Sequence, residues 1–184
     1  MMAVILVEPE KPENTGFIAR LCENFEFELR IVNPQFNLSK ARKTANNAQE
    51  KLRNTKIFDT TKASTKDLEY IIGTKPGKGI SSKKFTFRSN TSIMLGRESS
   101  GLTKEELKLC DSVVHIPSSY SSLNLSHAAS VLMYESYKNG KEQVVDGQRL
   151  DYLKEENGPY LSKLIGRASP TENELDRLIG ELNH

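Results

Sequence analysis

Short apolar runs alternate along this chain with segments in which hydrophobic residues recur every three or four positions. The runs are typical of buried β-strands, and the longer spacing is typical of amphipathic helices. Strands are predicted at residues 3–7, 29–32, 56–59, 91–95 and 112–116. Because the two patterns alternate, we expect an α/β fold in which a mostly parallel sheet is flanked by helices.

Three helices are predicted from their apolar faces. The first follows the turn after the first strand, the second lies near residues 39–53, and the third covers residues 125–137. The side chains expected to face inward are Phe17, Leu21 and Phe25, then Ala41, Ala45, Ala48 and Leu52, and finally Leu125, Ala129, Leu132 and Met133. Residues 67–72 fit either a helix or a strand, and residues 73–84 are predicted as a loop.

The chain divides at residue 140, where the composition becomes acidic and polar. We expect one α/β domain at residues 1–140 and a short helical extension at residues 141–184. Thr103 with Glu106, and Thr171 with Glu174, have the spacing of capping boxes at helix N-termini. The last helix would carry an apolar stripe of Leu175, Leu178, Ile179 and Leu182. Too little chain remains to cover this stripe, which indicates packing against a second subunit or a chain cut short.

Length and composition are those of a globular protein with a single main domain. Of the 184 residues, 36% are hydrophobic and 27% are charged, which is too apolar for a disordered chain. No apolar run approaches the roughly 20 residues of a transmembrane helix, and no signal peptide is recognised. We therefore expect a cytoplasmic protein without a membrane partner. The cysteines and histidines lack metal-ligand spacing, so no metal is expected.

Charge is distributed unevenly along the chain. Residues 40–88 contain thirteen Lys and Arg against four Asp and Glu, a net charge of +9, so the remainder carries −7 of the total of +2. Clustered cations neutralise phosphates, which favours a nucleic-acid partner. A solvated basic surface without a partner fits the charge alone equally well.

Three polar, glycine-containing or serine-rich segments lie where a parallel sheet places its ligand crevice, at the carboxyl ends of its strands. They are residues 73–77, 96–101 and 117–124. Small residues let backbone amides approach a ligand closely, although each segment alone also fits an ordinary turn with a Ser or Asn cap. The chain lacks the G-x-G-x-x-G and G-x-x-x-x-G-K-[ST] fingerprints, which disfavours NAD and ATP.

Three motifs taken together resemble the signatures of the SPOUT RNA methyltransferases. They are Asn14-Thr15-Gly16-Phe17-Ile18-Ala19-Arg20, the segment Ile93 to Thr103, and Ile116-Pro117 followed by Ser121-Ser122-Leu123-Asn124-Leu125-Ser126. Their order and spacing match over roughly residues 2–138. Within the superfamily the chain is most similar to the TrmJ branch, which methylates the ribose 2′-hydroxyl of nucleotide 32 in the tRNA anticodon loop.

The resemblance implies a trefoil knot in the C-terminal part of the domain and S-adenosylmethionine as the cofactor. Carried over position by position, the cofactor would be bound by Thr74, Lys75, Pro76, Gly96, Glu98, Ile116, Ser121, Ser122 and Leu123. Backbone groups would provide most of the adenine recognition. Glu98 could also hold the second motif near a subunit boundary.

The resemblance further implies a catalytic set of Arg20, Asn14, Ser122 and Asn124. Arg20 matches the arginine of the first motif, and its cation would stabilise the developing alkoxide and position the ribose or its phosphate. Because arginine side chains stay protonated in proteins, electrostatic activation of the hydroxyl by Arg20 is a simpler interpretation than proton removal by Arg20 as a base. The other three would orient Arg20 and the substrate. A surface ion pair for Arg20, and plain helix caps for Asn14 and Asn124, are the structural alternatives.

The family completes its active site across a dimer, so a homodimer that binds tRNA is expected. Candidate phosphate contacts are Arg20, Lys40, Arg42, Lys43, Lys78, Lys83, Lys84 and Arg97. Two features depart from the branch: Lys75 and Lys78 stand where arginines are usual, and the C-terminal extension is shorter. A 2′-O-methyltransferase acting on rRNA or another tRNA position, and an inactive RNA-binding homologue, stay open as alternatives.

Overall fold

The computed structural model describes residues 2–88, 90–120, 123–140 and 180, and within these ranges a seven-stranded sheet is flanked by helices. The strands are β1 (Ala3–Val7), β2 (Glu28–Val32), β3 (Lys56–Phe58), β4 (Tyr70–Thr74), β5 (Ile80–Ser81), β6 (Thr91–Leu95) and β7 (Ser112–His115). The helices are α1 (Pro12–Asn24), α2 (Arg42–Ala45), α3 (Gln49–Arg53), α4 (Thr61–Thr65), α5 (Lys104–Leu107) and α6 (Leu125–Gly140).

The sheet has the strand order β3-β2-β1-β6-β4-β7-β5, and each of its neighbouring pairs is parallel. The expected α/β fold with a mostly parallel sheet is therefore confirmed. β1 and β6 are buried along their whole length, because helices or loops cover both faces of the sheet at its centre. Their continuous apolar runs reflect this two-sided burial.

Two hydrophobic clusters pack on opposite faces of the sheet. Leu6 and Ile93 point into the larger cluster, which α1 and α6 cover, whereas their neighbours Ile5 and Met94 point into the smaller one with Leu102. The side chains of a strand alternate between its two faces, so each central strand contributes to both clusters. This packing fixes the register of the strands whose ends form the candidate site.

The segment predicted as a single helix near residues 39–53 is broken. A 3-10 turn over Leu38–Ala41 leads into α2, and a second 3-10 turn over Asn46–Ala48 leads into α3. Asn46 adopts a φ of 50°, which interrupts the helix there. The face was predicted correctly, since Ala41, Ala45, Ala48 and Leu52 are all buried.

Close contact with α1 accompanies this irregular path. A Cβ on Gly16 would lie 2.4 Å from the carbonyl oxygen of Ala41 and 2.0 Å from Oγ1 of Thr44. The two backbones therefore approach more closely than side chains would allow, and glycine makes the approach feasible. A contact of this kind depends on a residue far away in the sequence, so hydrophobic spacing alone does not reveal it.

The inward face of α1 differs from the prediction. Phe17 is 43% exposed, and Leu21 and Phe25 are only partly buried, whereas Ile18, Ala19 and Cys22 form the buried face. In α6, by contrast, Ala129, Leu132 and Met133 are buried as expected, and Leu125 is partly buried. The exposed position of Phe17 leaves an aromatic ring on the outer surface of α1.

Two short elements were not predicted. α4 begins after Thr60, whose hydroxyl accepts a hydrogen bond from the backbone N–H of Ala63 at 3.2 Å. β5 lies inside the segment expected to be a loop and pairs with β7 over two residues. The ambiguous segment at residues 67–72 ends in a strand, because β4 begins at Tyr70.

The capping box of Thr103 and Glu106 is confirmed, with both of its hydrogen bonds formed. The trefoil knot and the domain boundary at residue 140 stay predictions. The capping box of Thr171 and Glu174, the apolar stripe that follows it and most of the expected extension lie outside the described residues. Among the described helices, none combines the length and the hydropathy required to cross a membrane.

Candidate functional site

The carboxyl ends of β4, β6 and β7 meet at one edge of the sheet and line a cavity of about 580 Å³, which we call the main cavity. This edge is where open parallel sheets bind their ligands. The residues predicted to bind the cofactor that line it are Thr74, Lys75, Pro76, Gly96, Glu98, Ile116 and Leu123. Asn14 and Asn124 also line it, whereas Ser121 and Ser122 lie outside the described residues.

Glu98 joins the loop after β6 to the start of α1. Its carboxylate accepts hydrogen bonds from the backbone N–H groups of Glu10 at 2.8 Å and Lys11 at 3.2 Å, and from Nδ2 of Asn14 at 2.9 Å. In return, the carboxylate of Glu10 accepts from the backbone N–H of Ser99 at 3.0 Å and from its hydroxyl at 2.6 Å. These reciprocal contacts hold two walls of the main cavity together.

Arg97 makes a second connection behind the same loop. Its Nε donates to Glu8 at 2.8 Å, and its two terminal nitrogens donate to the two carboxylate oxygens of Glu106 at 3.1 and 3.0 Å. Nη1 also donates to the carbonyl oxygen of Gly101 at 3.3 Å. With four hydrogen bonds inside the protein and a side chain that is 17% exposed, Arg97 is a structural residue. Its contact with a phosphate stays a prediction.

The carboxylates that face Arg97 respond to its charge. The hydrogen bond and the charge of Arg97 outweigh desolvation and lower the pKa of the Glu8 carboxyl. Burial acts to raise the pKa of Glu106, but hydrogen bonds from Arg97 and Thr103 outweigh it, so that this pKa is also lowered. Both groups are consequently ionised at neutral pH.

Gly96 permits a tight turn at the rim of the main cavity. A Cβ at this position would lie 2.2 Å from the carbonyl carbon of Gly101 and 2.4 Å from the backbone nitrogen of Leu102. Gly101 itself adopts a φ of 69°, in the left-handed region. Residues 96–101 thus line the cavity in a tight turn that a side chain at position 96 would prevent.

These features fit S-adenosylmethionine. The volume lies within the range of small-molecule pockets, and the lining combines apolar residues such as Leu95, Ile116 and Leu132 with polar ones. A flat heterocycle needs apolar contacts on its faces and hydrogen-bonding groups at its edge, and residues of both kinds line the cavity.

His115, at the end of β7, also lines the main cavity and was not predicted. Its Nδ1 is buried, and no hydrogen-bond partner for it lies among the described residues. A buried polar atom without a partner is costly, so a polar group in the cavity would stabilise it. Its place directly before Ile116-Pro117 is the sequence signal that could have identified it.

The two asparagines differ in their roles. Asn14 is the third residue of α1, and its side chain donates to Glu98, so the alternative of a plain helix cap is wrong. Asn124 precedes α6, and its Oδ1 accepts from the backbone N–H of Ser126 at 2.9 Å and from the Ser126 hydroxyl at 2.7 Å. Asn124 is therefore a helix cap, at a position that also lines the main cavity.

Arg20 is exposed and does not line the main cavity. It lies instead between two smaller cavities, one of about 280 Å³ against α6 and one of about 450 Å³ against residues 46–50. Among the described ion pairs none includes Arg20, so the alternative of a surface ion pair is not observed there. We call the first of these two cavities the Arg20 cavity, and its lining consists of Phe17, Arg20, Leu21, Asn24, Ser126, His127 and Ser130.

The remaining candidates for RNA contact are exposed and form two groups. Lys40, Arg42 and Lys43 lie at and before α2, and Lys78, Lys83 and Lys84 lie on either side of β5. Their contact with RNA stays a prediction. In the described part of the chain, no three His, Cys, Asp or Glu side chains are grouped so as to hold a metal ion.

Comparison with known proteins gives one consistent result. The sequence profile of the SpoU rRNA Methylase family matches residues 1–134. The tRNA (cytidine-2′-O-)-methyltransferase TrmJ of Methanocaldococcus jannaschii is 35% identical over 182 residues, which cover 89% of this chain and 79% of that protein.

Solved structures show the same fold. A protein described by its role in 2-OH methylation of C/U34 on tRNA aligns with a TM-score of 0.70 at 26% identity, covering 77% of this chain and 97% of the other. The SpoU methyltransferase AviRb of Streptomyces viridochromogenes, in complex with the cofactor AdoMet, aligns with a TM-score of 0.65 at 22% identity. That alignment covers 77% of this chain and 61% of AviRb.

Proposed function

We infer that this chain, which belongs to the SpoU rRNA methylase family, methylates a ribose 2′-hydroxyl of tRNA. It is an RNA methyltransferase that uses S-adenosylmethionine. The observation that carries the narrower proposal is the arrangement of one helix, α1, along both cavities. Asn14 of this helix lines the main cavity, and Arg20 lines the next one.

The two cavities are suited to different partners. Arg20 lies six positions after Asn14, which corresponds to about 9 Å along a helix axis. The first turn of α6 lies between the cavities, since Asn124 and Leu125 line one and Ser126 and His127 line the other. We assign the main cavity to the cofactor and the Arg20 cavity to the ribose and its phosphates.

When bound, S-adenosylmethionine supplies a methyl group on a sulfonium that an oxygen nucleophile can attack. The chain must hold the 2′-hydroxyl in line with that methyl group and favour its loss of a proton. Arg20 would stabilise the negative charge that develops on the oxygen, and Asn124 and Ser122 would orient the groups at the start of α6. Glu98 would keep the two walls of the main cavity in register.

We propose nucleotide 32 of the anticodon loop as the target. The similarity to the TrmJ protein supports this choice over rRNA. Another tRNA position is the second candidate, because the structure described for C/U34 has the same fold and covers 77% of this chain. An inactive RNA-binding homologue is less consistent with the presence of Arg20 beside the cavities.

Labelled S-adenosylmethionine and tRNA without 2′-O-methyl groups test this proposal directly. Nuclease digestion after incubation should leave a resistant dinucleotide that carries the label, and its sequence should map to position 32. Arg20→Ala should abolish transfer while binding of S-adenosylhomocysteine changes less than about threefold. Label on a base, or labelled rRNA with unlabelled tRNA, would contradict the assignment.

We also propose that the chain forms a homodimer and acts in the cytoplasm. Phe17 of α1 and Val131 and Tyr134 of α6 are large hydrophobic residues that are 43%, 41% and 53% exposed. α1 and α6 pack against each other, and the ring centroids of Phe25 and Tyr134 are 6.2 Å apart, so these exposed side chains lie on two adjacent helices. Exposed apolar patches of this kind are typical of interfaces. Light scattering should give twice the monomer mass, and Val131→Glu should give the monomer.

A further inference from the structure

We propose that His127 accepts the proton of the ribose 2′-hydroxyl during methyl transfer. This inference rests on the proposed function, and it names a group that the sequence motifs did not assign. Arg20 can stabilise a negative oxygen, but an arginine that is already protonated cannot take up the proton. The reaction therefore needs a second group beside it.

The lining of the Arg20 cavity contains one suitable group. It consists of Phe17, Arg20, Leu21, Asn24, Ser126, His127 and Ser130. Among these described side chains, a histidine is the one type that exchanges a proton readily near neutral pH. Hydroxyl and amide groups can donate or accept hydrogen bonds, but they do not take up an additional proton near neutral pH. His127 is thus the candidate base that the cavity itself offers.

The position of His127 on α6 suits this role. It is the third residue of the helix, directly after Ser126, whose backbone N–H and hydroxyl are held by Asn124. The cap fixes the first turn of α6 next to the main cavity. The imidazole is exposed, so it can return its proton to water after each turnover. Its charged neighbour in the cavity is Arg20 from α1.

The adjoining cavity adds two further charged groups. Glu23 of α1 and Glu50 of α3 line it together with Arg20. The charged groups that lie around His127 are therefore Arg20 in the same cavity and Glu23 and Glu50 in the adjoining one. None of these carboxylates lines the Arg20 cavity, so they do not replace His127 as proton acceptor.

Proton transfer to His127 accompanies methyl transfer to the ribose oxygen. The O–H bond of the ribose breaks, its electron pair stays on oxygen, and the proton moves to an imidazole nitrogen of His127. A new bond forms between that oxygen and the methyl carbon, while the bond from sulfur to the methyl carbon breaks and its electron pair goes to sulfur. Arg20 stabilises the oxygen while its charge develops, and the imidazolium releases its proton to solvent.

Single-turnover methylation of tRNA lacking 2′-O-methyl groups, measured between pH 5.5 and 9, tests this role. For the full chain the rate should rise with pH and then level off. His127→Asn should lower the rate at pH 7 by about 100-fold or more, the usual range for loss of a general base. Its rate should continue to rise with pH, because hydroxide then takes the proton. Added imidazole should restore part of the rate of His127→Ala. Lys138→Gln, an exposed change at the other end of α6, is the control and should leave the profile unchanged.

Binding of S-adenosylhomocysteine and of tRNA separates this proposal from its rivals. Both affinities should change less than about threefold in His127→Asn. A rate within threefold of the unaltered chain and an unchanged pH profile would overturn the proposal. Loss of tRNA affinity with an unchanged single-turnover rate at saturating tRNA would overturn it too, since His127 would then only bind RNA. If the unaltered chain transfers no methyl group to ribose, the proposed function itself fails.

Discussion

Replacing Arg97 with methionine removes the connection behind the Gly96 loop while keeping most of the side-chain volume. The change deletes four hydrogen bonds, to Glu8, Gly101 and both carboxylate oxygens of Glu106. Glu106 is 12% exposed and Glu8 is 33% exposed, so both carboxylates would be left in places where water solvates them poorly. The loop that lines the main cavity would lose its support.

The expected cost follows from these exposures. Breaking a buried ion pair by removing one partner costs about 3–5 kcal/mol, whereas an exposed pair contributes about 0–1 kcal/mol. The pair with Glu106 is close to the buried case, and the pair with Glu8 lies between the buried and the exposed case. The hydrogen bond from the Thr103 backbone N–H to Glu106, at 2.8 Å, would remain and limit the loss. We expect the free energy of unfolding to fall by about 3 kcal/mol, which lowers Tm by roughly 6–12 °C in a protein of this size.

The difference should also depend on pH. Because the folded pKa values of Glu8 and Glu106 are lowered, the stabilisation that they provide is fully present above the ordinary pKa of a glutamate carboxyl. It is lost as the pH falls through their lowered folded values. Arg97→Met lacks the part of this contribution that comes from Arg97 at every pH, whereas the hydrogen bond from Thr103 to Glu106 keeps the rest. The gap in unfolding free energy between the two proteins should therefore be largest at pH 7 and should narrow as the pH falls below the ordinary pKa of a glutamate carboxyl.

Urea unfolding followed by circular dichroism at pH 7 and pH 4 measures both effects. Lys104→Met is a matched control, since it replaces an exposed cation on the neighbouring helix α5 by the same residue. It should change the unfolding free energy by less than about 0.5 kcal/mol. An equally small change in Arg97→Met, or a gap of constant size at the two pH values, would refute the reasoning.

Three further changes test other parts of the structure. Gly16→Ala should lower Tm despite the better helix propensity of alanine, because the new Cβ would meet the Ala41 carbonyl oxygen at 2.4 Å; differential scanning calorimetry measures this, and a higher Tm would contradict the close contact. His115→Phe should weaken S-adenosylhomocysteine binding about tenfold in titration calorimetry. His115→Asn keeps a polar atom near the position of Nδ1 and should retain most of the affinity. Equal affinities of the two variants would show that Nδ1 has no role in binding. Burial raises the pKa of the Cys22 and Cys110 thiols to about 12. Both thiols should therefore react slowly with a thiol reagent at pH 8 and rapidly in urea. Fast labelling of the folded protein would disprove their protection.

Local patterns were sufficient where burial is determined by the sheet itself. β1 and β6 were predicted because a central parallel strand needs apolar side chains on both faces, and this gives five consecutive buried residues in each. The break in the segment at residues 39–53 was missed because it depends on the approach of α1 at Gly16. β5 was missed because two residues carry no periodicity.

The candidate site shows the same distinction between local and distant causes. The loops of the main cavity could be predicted because each directly follows a strand, and parallel strands end at the same edge. The role of Arg97 could not, since its partner Glu8 is 89 positions away and nothing in the spacing connects them. The orphaned atom of His115 likewise appears only when the burial of each atom is known.

The central place of β1 has a consequence for biosynthesis. β1 pairs with β2 on one side, but its other edge pairs with β6, which ends at Leu95. During translation, the first strand to emerge therefore keeps an unsatisfied edge until about half of the polypeptide has followed it. Nascent chains that stop before β6 expose this apolar edge, which is a template for association with other chains. We expect such fragments to associate with chaperones or to precipitate instead of reaching a native state.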